Sequence, residues 1–372
     1  MKTQAKLLFT GDIYINKKVK FINSIAVSKI FKYHDIISGN FEGPVVINNP
    51  RPIRKVGSFL KQNKIAVDIL IRSGFNLINL ANNHIFDYGN SSLRFTIDSL
   101  NKIKTVGAGM DFNSAYRPTI INIHGLRIAF LSYCEAEFGC LLEDSGRGGY
   151  AWINHHKVIE IITSVKKTSD FVVIQVHAGV ECIRLPLPEW RLRYKELIDW
   201  GADVVIGHHP HQVQGWELYK SKPIFYSLGN YYFDRENSDA KWNEGIIVSL
   251  TINKKGITDL NAIPIRRTQD KIYKMKRDTA KNLNRLNNLQ ENSKYIKEID
   301  ALALQLWEKR YKQYYIDVVQ YTRNRKVFFL PFHPENKDKI VSINNLLLLH
   351  NIRIESHRWI VQRALTLLER KL

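Results

Sequence analysis

Short, continuous apolar runs recur between Ala5 and Ile265 and alternate with amphipathic segments. Runs of this length that are rich in β-branched residues are typical of strands buried on both faces of a sheet. The predicted strands are Lys6–Thr10, Phe75–Leu80, Arg127–Ser132, Phe171–Val176, Asp203–Ile206, Pro223–Ser227 and Gly245–Ile252. Strands that alternate with helices in this way predict a layered α/β domain.

Two of the amphipathic segments carry clear helix signals. In Pro188–Trp200, apolar residues recur at i, i+4, i+7 and i+8 from Trp190, and Gly201 follows the last turn. In Gln62–Arg72 the apolar residues also share one face, and Gly74 stops the helix. Each predicted helix is therefore followed by a glycine, a strand and a polar motif.

The character of the chain changes after Arg266. A Lys/Asn-rich stretch leads into helical patterns at Tyr295–Gln320 and Ile354–Leu372, with prolines between them. We therefore expect one domain over residues 1–265 and a basic, mostly helical C-terminal extension over residues 266–372.

Composition limits the class of protein further. An apolar fraction of 44% is normal for a chain that buries a large core. The three cysteines lack CxxC spacing, so neither a disulfide framework nor a zinc ribbon is predicted. No cleavable signal pattern is present, and no apolar run reaches the ~18 residues that span a bilayer. We expect a cytoplasmic protein without a transmembrane segment.

The chain is strongly basic, with a formal net charge of +20. Residues 266–372 alone hold 23 basic and 11 acidic side chains. Such a surplus attracts nucleic acid, an anionic membrane or an acidic polymer, but it is also found on ordinary solvated surfaces. Charge alone does not decide between these alternatives.

Two acidic motifs lie at predicted strand ends. Gly11-Asp12 closes the first strand, where a carboxylate is exposed at the mouth of an open α/β sheet, although Gly-Asp is also ordinary turn chemistry. In Asn40-Phe41-Glu42 the two-residue period places the amide and the carboxylate on one side of an extended segment. An amide oxygen and a carboxylate on one side suit a hard divalent metal.

The segment after the predicted strand Phe75–Leu80 is unusually polar. It contains Asn82, Asn83 and His84, with Asp87 three residues further on. An amide oxygen is a neutral ligand, and an adjacent imidazole protonates a leaving group or stabilises developing charge. A simple loop does not readily explain this combination directly after a buried strand.

Histidines follow two more predicted strands. His177 ends the run VVIQV, with Glu181 nearby, and Gly207 opens the sequence GHHPH. That sequence holds His208, His209 and His211, of which the last two have the H-x-H spacing that lets two rings reach one metal. Carboxylate, amide and imidazole without thiolate favour a hydrolytic site with one or two divalent ions, most consistent with Mn, Fe or Zn.

The ordered motifs GD, NFE, ANNH-x-x-DYG, H-x-G-x-E, GHHPH and YSLGN closely resemble the CapA family of poly-γ-glutamate capsule biosynthesis proteins. That family belongs to the calcineurin-like metallophosphoesterase superfamily, and the resemblance covers about residues 5–235. It implies a four-layer αββα sandwich, in which helices flank two packed sheets and the metal site lies at the strand ends.

The motifs and the resemblance together give expected roles for individual residues, and the resemblance itself implies Asp12, Asn83, His177, His209 and His211 as ligands and His84 as catalytic. The expected metal ligands are Asp12, Asn40, Glu42, Asn83, His177, His209 and His211. The expected catalytic residues are His84, Asp87 and Glu181, and the expected supporting or substrate-binding residues are His208, Asn82 and Asn230. Two features depart from the wider superfamily. Asn40 and Glu42 stand where a bridging aspartate is usual, and Ile13-Tyr14 follow Asp12 where D-x-H is usual.

Three functions remain open on the sequence. The leading hypothesis is a metal-dependent hydrolase acting on a phosphoester or amide bond of an anionic cell-surface polymer or its phosphorylated precursor. The second is a non-catalytic assembly component of polymer-synthesis machinery. The third is a nucleic-acid phosphodiesterase that uses the basic extension, but aromatics such as Trp307 and Tyr311 follow helical spacing and are more typical of a core than of a base-stacking platform.

Overall fold

The computed structural model describes residues 3–17, 19, 22–235, 237, 239–275, 294–313, 315–316 and 346–370. The chain divides into two compact units. The first comprises Met1–Ile53, Phe59–Glu135 and Gly139–Glu291, and the second comprises Arg54–Ser58, Ala136–Phe138 and Asn292–Leu372. The predicted domain boundary after residue 265 falls inside a strand that continues to Thr268.

The first unit alternates strands and helices along most of its length. Its strands are β1 (Ala5–Tyr14), β2 (Ile36–Phe41), β3 (Leu77–Asn79), β4 (Lys104–Val106), β5 (Ala108–Gly109), β6 (Thr119–Ile123), β7 (Leu126–Cys134), β8 (Cys140–Leu141), β9 (Gly149–Ala151), β10 (Phe171–His177), β11 (Val204–His208), β12 (Trp216–Tyr219), β13 (Lys222–Phe225), β14 (Asn230–Phe233), β15 (Glu244–Asn253), β16 (Gly256–Thr268) and β17 (Lys271–Lys274). Its helices are α1 (Ile25–Lys32), α2 (Ile65–Ser73), α3 (Gly89–Ser99), α4 (Phe112–Tyr116), α5 (Lys157–Thr168) and α6 (Pro188–Trp200), with a 3₁₀ turn at Ala240–Asn243.

Two large sheets organise the described part of this unit. In the first sheet the strand order is β17-β16-β15-β1-β2-β3-β4, and β14 also pairs with β1. In the second sheet the order is β12-β13-β11-β10-β7-β6. Strands β1 to β4 are parallel, as are β7, β10, β11 and β13, so the carboxyl ends of both parallel sets carry the loops that hold polar motifs.

The two sheets pack face to face through one apolar core. Alternate residues such as Phe9 on β1 and Phe130 on β7 are fully buried in that core, and each contributes roughly 2 kcal/mol of burial energy. The outer faces carry helices. On the first sheet, the ring of Phe31 in α1 packs edge-on against Phe75 at 5.4 Å. On the second, Tyr194 in α6 stacks on Tyr226 at 5.6 Å. The four-layer sandwich expected from the family resemblance is confirmed.

The predicted helices form largely where the sequence indicated. Helix α6 has the expected bounds, with proline in its first turn and Gly201 as its C-cap. Helix α2 ends at Gly74 in the left-handed conformation, but it begins at Ile65 instead of Gln62. The reason is that Gln62 is committed elsewhere: its backbone pairs with Pro44 and Val46, and its side chain bonds the Glu42 carbonyl.

All of the predicted strands correspond to observed strands, although several bounds differ. Strand β1 continues past Asp12 to Tyr14 because β14 pairs with it in parallel, opposite Asn230 and Phe233. Asp12 therefore lies inside the strand, at a register shift, and does not close it as expected. Ten of the described strands were not among those predicted, namely β2, β4, β5, β6, β8, β9, β12, β14, β16 and β17.

The described C-terminal residues of the second unit, from Lys294 onward, are mostly helical, which confirms a helical C-terminal region. Helix α7 (Lys294–Leu306) continues through a π-helical turn, Trp307–Tyr311, and helix α8 (Glu355–Glu369) packs against both. Trp307 and Tyr311 are buried, as their helical spacing predicted. The predicted helical residues 314, 317–320 and 371–372 lie outside the described residues. No described helix is long and apolar enough to cross a membrane.

The approach of β1 to the turn before β14 leaves no space for a side chain at Gly11. A Cβ atom there would stand 1.8 Å from the Gly229 carbonyl oxygen, the acceptor of the Asp12 backbone N–H. Because the obstacle is backbone, it cannot rotate away.

Gly11→Ala should therefore lower the free energy of unfolding by about 3 kcal/mol, near the upper end for overpacking. Denaturant unfolding measures this change, with Ser164→Ala on the exposed side of α5 as the control. Equal stability of the two variants would show that there is room for a methyl group between Gly11 and the Gly229 carbonyl.

Candidate metal centre

The two sheets bring the predicted motifs together at the carboxyl ends of their strands. In the first sheet Asp12 and Asn40 are directly paired across β1 and β2. In the second, His177 and His208 are paired across β10 and β11. The amide Nδ2 of Asn40 donates to Asp12 Oδ1 at 2.8 Å and lies 3.1 Å from His177 Nδ1, so one amide connects the two sheets.

The loop after β3 is held in place by its first asparagine. Asn82 donates to the Phe41 carbonyl at 2.9 Å and accepts from the Gly43 backbone N–H at 3.3 Å. This anchoring places Asn83, whose Oδ1 lies 3.1 Å from His177 Nε2. Asn82 is therefore a structural support, and Asn83 belongs to the central cluster.

The GHHPH loop adopts a backbone that most residues avoid. His209 and His211 have φ values of +94° and +56°, in the region that costs a non-glycine residue of order 1–2 kcal/mol. The strained loop lets the His209 backbone N–H donate to Asp12 Oδ2 at 3.2 Å. It also places His209 Nδ1 3.0 Å from His177 Nε2.

His211 lies between both carboxylates of the cluster. Its Nδ1 is 3.4 Å from Asp12 Oδ2 and 2.9 Å from Asn230 Oδ1, and its Nε2 is 3.5 Å from Glu42 Oε1. Asn230 also donates to the Trp242 carbonyl at 2.8 Å. Both polar groups of Asn230 are thus committed to holding His211 and the 3₁₀ turn.

Glu42 is the least satisfied group in the cluster. It is fully buried, yet neither carboxylate oxygen has a hydrogen-bond donor among the described residues. Ligand atoms of Asp12, Glu42 and His177 all lie within 4.8 Å of one another. A buried carboxylate is normally hydrogen-bonded, ion-paired or bound to metal, so this donor set fits a divalent cation.

Neighbouring groups set the charge of the acidic residues and of His211. Burial by itself would raise the pKa of Asp12, but hydrogen bonds and charge from His208 and His211 hold that pKa well below its ordinary value. Burial raises the pKa of Glu42 well above its ordinary value, against the charge of His211. Burial alone would lower the pKa of His211, yet the charges of Glu42 and Asp12 raise it to about 10.

The other two central histidines are shifted in the opposite direction. Burial and the neighbouring His209 hold the pKa of His177 well below its ordinary value. Burial lowers the pKa of His209 to about 4, although the charge of Glu181 opposes the shift. Both rings are therefore neutral at neutral pH, the form in which imidazole binds a metal.

His84 and Asp87 form a hydrogen-bonded pair beside this cluster. Asp87 Oδ2 lies 2.7 Å from His84 Nδ1 and also accepts from the Leu60 backbone N–H at 2.8 Å. The other ring nitrogen, Nε2, is 3.9 Å from Glu42 Oε1. Asp87 thus orients the imidazole so that Nε2 is directed toward the candidate metal ligands.

A small pocket of about 150 Å³ opens onto these groups. Its walls are Glu42, Leu60, His84, Glu181, Cys182, His211, Phe233, Arg235, Asn237 and Trp242. Glu181 lies in this wall, as its expected catalytic role requires, while His208 is fully buried behind Asp12 at 3.5 Å. All of the predicted site residues are therefore in this region, some as walls and others as supports.

Asn40 is the residue whose placement differs most from the expected ligand role. Its carbonyl oxygen accepts from Asn79 at 3.1 Å and from Asn82 at 3.3 Å, and its Nδ2 faces Asp12 and His177. In this orientation Asn40 fixes the positions of two candidate ligands.

Three residues of the region were not found from the sequence. Glu135 follows β7, and its carboxylate accepts from the Gly179 backbone N–H at 2.8 Å and lies 3.9 Å from His209 Nε2. The search for polar residues directly after predicted strands would have found Glu135 if the strand had been predicted to its true end. The predicted strand stopped at Ser132, whereas β7 ends at Cys134. Arg235 and Trp242 had no motif signal, because they reach the pocket from the segment after β14.

A buried Asp/Glu/His cluster thus lies at the strand ends of a four-layer sandwich, the architecture of the metallophosphoesterase-like fold. Residues 6–235 match the family model described as bacterial capsule synthesis protein PGA_cap. That match covers more than half of the chain, which therefore belongs to this family. The resemblance to CapA proteins is confirmed.

Two known relatives agree with this assignment. The chain is 30% identical over 275 residues to the capsule biosynthesis protein CapA of Bacillus anthracis, covering 70% of this chain and 66% of that protein. It is 28% identical over 303 residues to the PGA biosynthesis protein CapA of Bacillus subtilis strain 168, covering 78% and 79%. Among solved structures, a 5′-nucleotidase precursor from Thermus thermophilus is 12% identical with a TM-score of 0.43, over 71% of this chain and 55% of that chain.

Metal binding should strengthen as the pH rises from about 6 to about 9, because ligands must lose their protons first. Glu42 has a raised pKa, and His211, with a pKa of about 10, holds a proton that a second cation would displace. For each proton that is released on binding, the metal affinity rises about tenfold per pH unit. Calorimetry of Mn²⁺ or Zn²⁺ binding in two buffers of different ionisation enthalpy counts the protons. An affinity independent of pH would contradict the protonation states assigned here.

Proposed function

We propose that this chain is a metal-dependent hydrolase that cleaves a phosphoester or amide bond in an anionic cell-surface polymer or its precursor. The observation that carries the proposal is the fully buried Glu42 carboxylate, which has no described hydrogen-bond donor and lies beside Asp12 and His177. Family membership supports the polymer as the substrate class.

The residues that would hold the metal are Asp12, Glu42 and His177, with Asn83, His209 and His211 close enough to complete one site or contribute to a second. One or two ions of Mn, Fe or Zn suit this oxygen and imidazole set. When bound, such an ion supplies Lewis acidity to the attacked bond. Asp12 and Glu42 would hold the ion away from bulk water, since both carboxylates are buried.

The His84–Asp87 pair would supply the proton for the leaving group. Asp87 accepts from Nδ1 and would stabilise the doubly protonated ring of His84, a residue of the pocket wall, so that Nε2–H would donate its proton to the leaving group and leave the ring neutral. Glu181 and the walls formed by Phe233 and Trp242 would exclude bulk water from the reacting bond.

Recognition of an anionic substrate would fall to Arg235. It contributes the permanent cation among the described residues of the pocket wall and is exposed to solvent. Guanidinium binds carboxylate or phosphate through two parallel hydrogen bonds. The charge of +20 would add long-range attraction for a polyanion.

His84→Ala should lower the hydrolysis rate of the metal-loaded protein by 10²- to 10⁴-fold, the range for removing a general acid. Metal content should be unchanged, because His84 is not among the three clustered ligands. The assay uses chromogenic phosphodiester and γ-glutamyl substrates, with His124→Ala as a control at an exposed histidine. Inactivity of both the unmodified protein and the variant on every substrate would count against a hydrolase.

The alternative is a non-catalytic assembly component of polymer-synthesis machinery. The relatives carry names that describe biosynthesis, and Asn40 and Glu42 replace the usual bridging aspartate. Under this alternative the metal would only stabilise the fold. His84→Ala would then leave polymer formation in cells unchanged, whereas Glu42→Ala would abolish it through loss of folded protein.

A further inference from the structure

Helix α1 exposes apolar side chains that folded proteins usually cover. Ile25 is 79% exposed and Tyr33, the residue that ends the helix, is 72% exposed. These are the highest values among the large apolar side chains of the described residues. Lys29 and Lys32 lie on the same helical face, at i+4 and i+7 from Ile25. The opposite face of α1 packs inward through Val27 and Phe31.

A pocket of about 710 Å³ opens beside this face and is lined by basic residues from three elements. Lys29 and Lys32 come from α1, Arg72 comes from the last turn of α2, and Lys271 comes from β17. No aspartate or glutamate lines the pocket among the described residues, and none of the four cations forms an ion pair within them.

Local stability does not account for this clustering. A lysine or arginine in the last turn of a helix interacts favourably with the helix dipole, which would explain Lys29, Lys32 and Arg72 one at a time. It does not explain Lys271, which lies on a strand. Nor does it explain why Ile25 and Tyr33 remain in water next to four like charges, which repel one another unless an anion is bound.

The surface formed by Ile25, Lys29, Lys32, Tyr33, Arg72 and Lys271, here called the α1 patch, is separate from the metal centre. Strand β2 lies between them. Ile37 lines the pocket of the α1 patch, and Asn40 contacts the candidate ligand Asp12. The two residues are three positions apart on the strand, so their side chains point to opposite faces of the sheet. Occupation of the α1 patch would therefore leave the 150 Å³ pocket accessible.

We propose that the α1 patch binds the surface of an anionic lipid bilayer. Lysine and arginine attract acidic headgroups. Ile25 in the pocket wall and Tyr33 at the end of α1 would gain free energy by entering the boundary between headgroups and acyl chains. A soluble polyanion would satisfy the cations but would leave Ile25 and Tyr33 in water. The combination of unpaired cations with exposed apolar side chains therefore favours lipid.

The test is flotation of the full chain with phosphatidylcholine vesicles that contain or lack phosphatidylglycerol. The unmodified protein should float only with the anionic vesicles. Lys29→Ala/Lys32→Ala should weaken binding roughly 25-fold, about fivefold for each lysine. Ile25→Ser should weaken it several-fold at high salt, where the apolar contact carries more of the binding.

Matched changes on the opposite helix layer serve as controls. Lys157→Ala/Lys167→Ala on α5 and Leu192→Ser on α6, which is 60% exposed, should bind vesicles like the unmodified protein. All of these positions are exposed, and unchanged melting temperatures would confirm folding. Absence of vesicle binding, or equal loss in the control variants, would overturn the proposal. So would binding of soluble polyglutamate, but not of vesicles, with no effect of Ile25→Ser.

Discussion

The burial of two carboxylates in one cluster is the constraint on which the site depends. Removing an ionised carboxylate from water costs several kcal/mol even after relaxation, unless a cation or hydrogen-bond donors compensate. Asp12 is compensated by Asn40, by the His209 backbone N–H and by His211. Within the described part of the chain, the partners found for Glu42 are histidine nitrogens at 3.5 Å and beyond. A divalent cation held by Asp12 and Glu42 would resolve that imbalance.

The rest of the first unit holds these groups in position. The contact of Gly11 with Gly229 locks β1 against β14 and places Asp12 beside Asn230, which in turn orients His211. The positive φ of His209 stores backbone strain at this loop. Such strain is tolerated where the surrounding structure over-determines the backbone, and it is found most often at binding and active sites.

Strand-end motifs made most of the site predictable, because parallel strands bring residues distant in sequence to one edge. His177 and His211 were found in this way. Strand length was harder to predict: β1 continues past Asp12 only because β14 pairs with it, and Glu135 was missed because β7 runs to Cys134. Arg235 could not be found, since its position follows from the tertiary path of a loop.

The most direct test of the metal centre is anomalous X-ray scattering from crystals of the metal-loaded protein, recorded at the absorption edge of Mn or Zn. A peak within bonding distance of Asp12, Glu42 and His177 is the predicted result. Diffraction data with no peak there, and with Glu42 hydrogen-bonded to ordered water instead, would contradict the assignment.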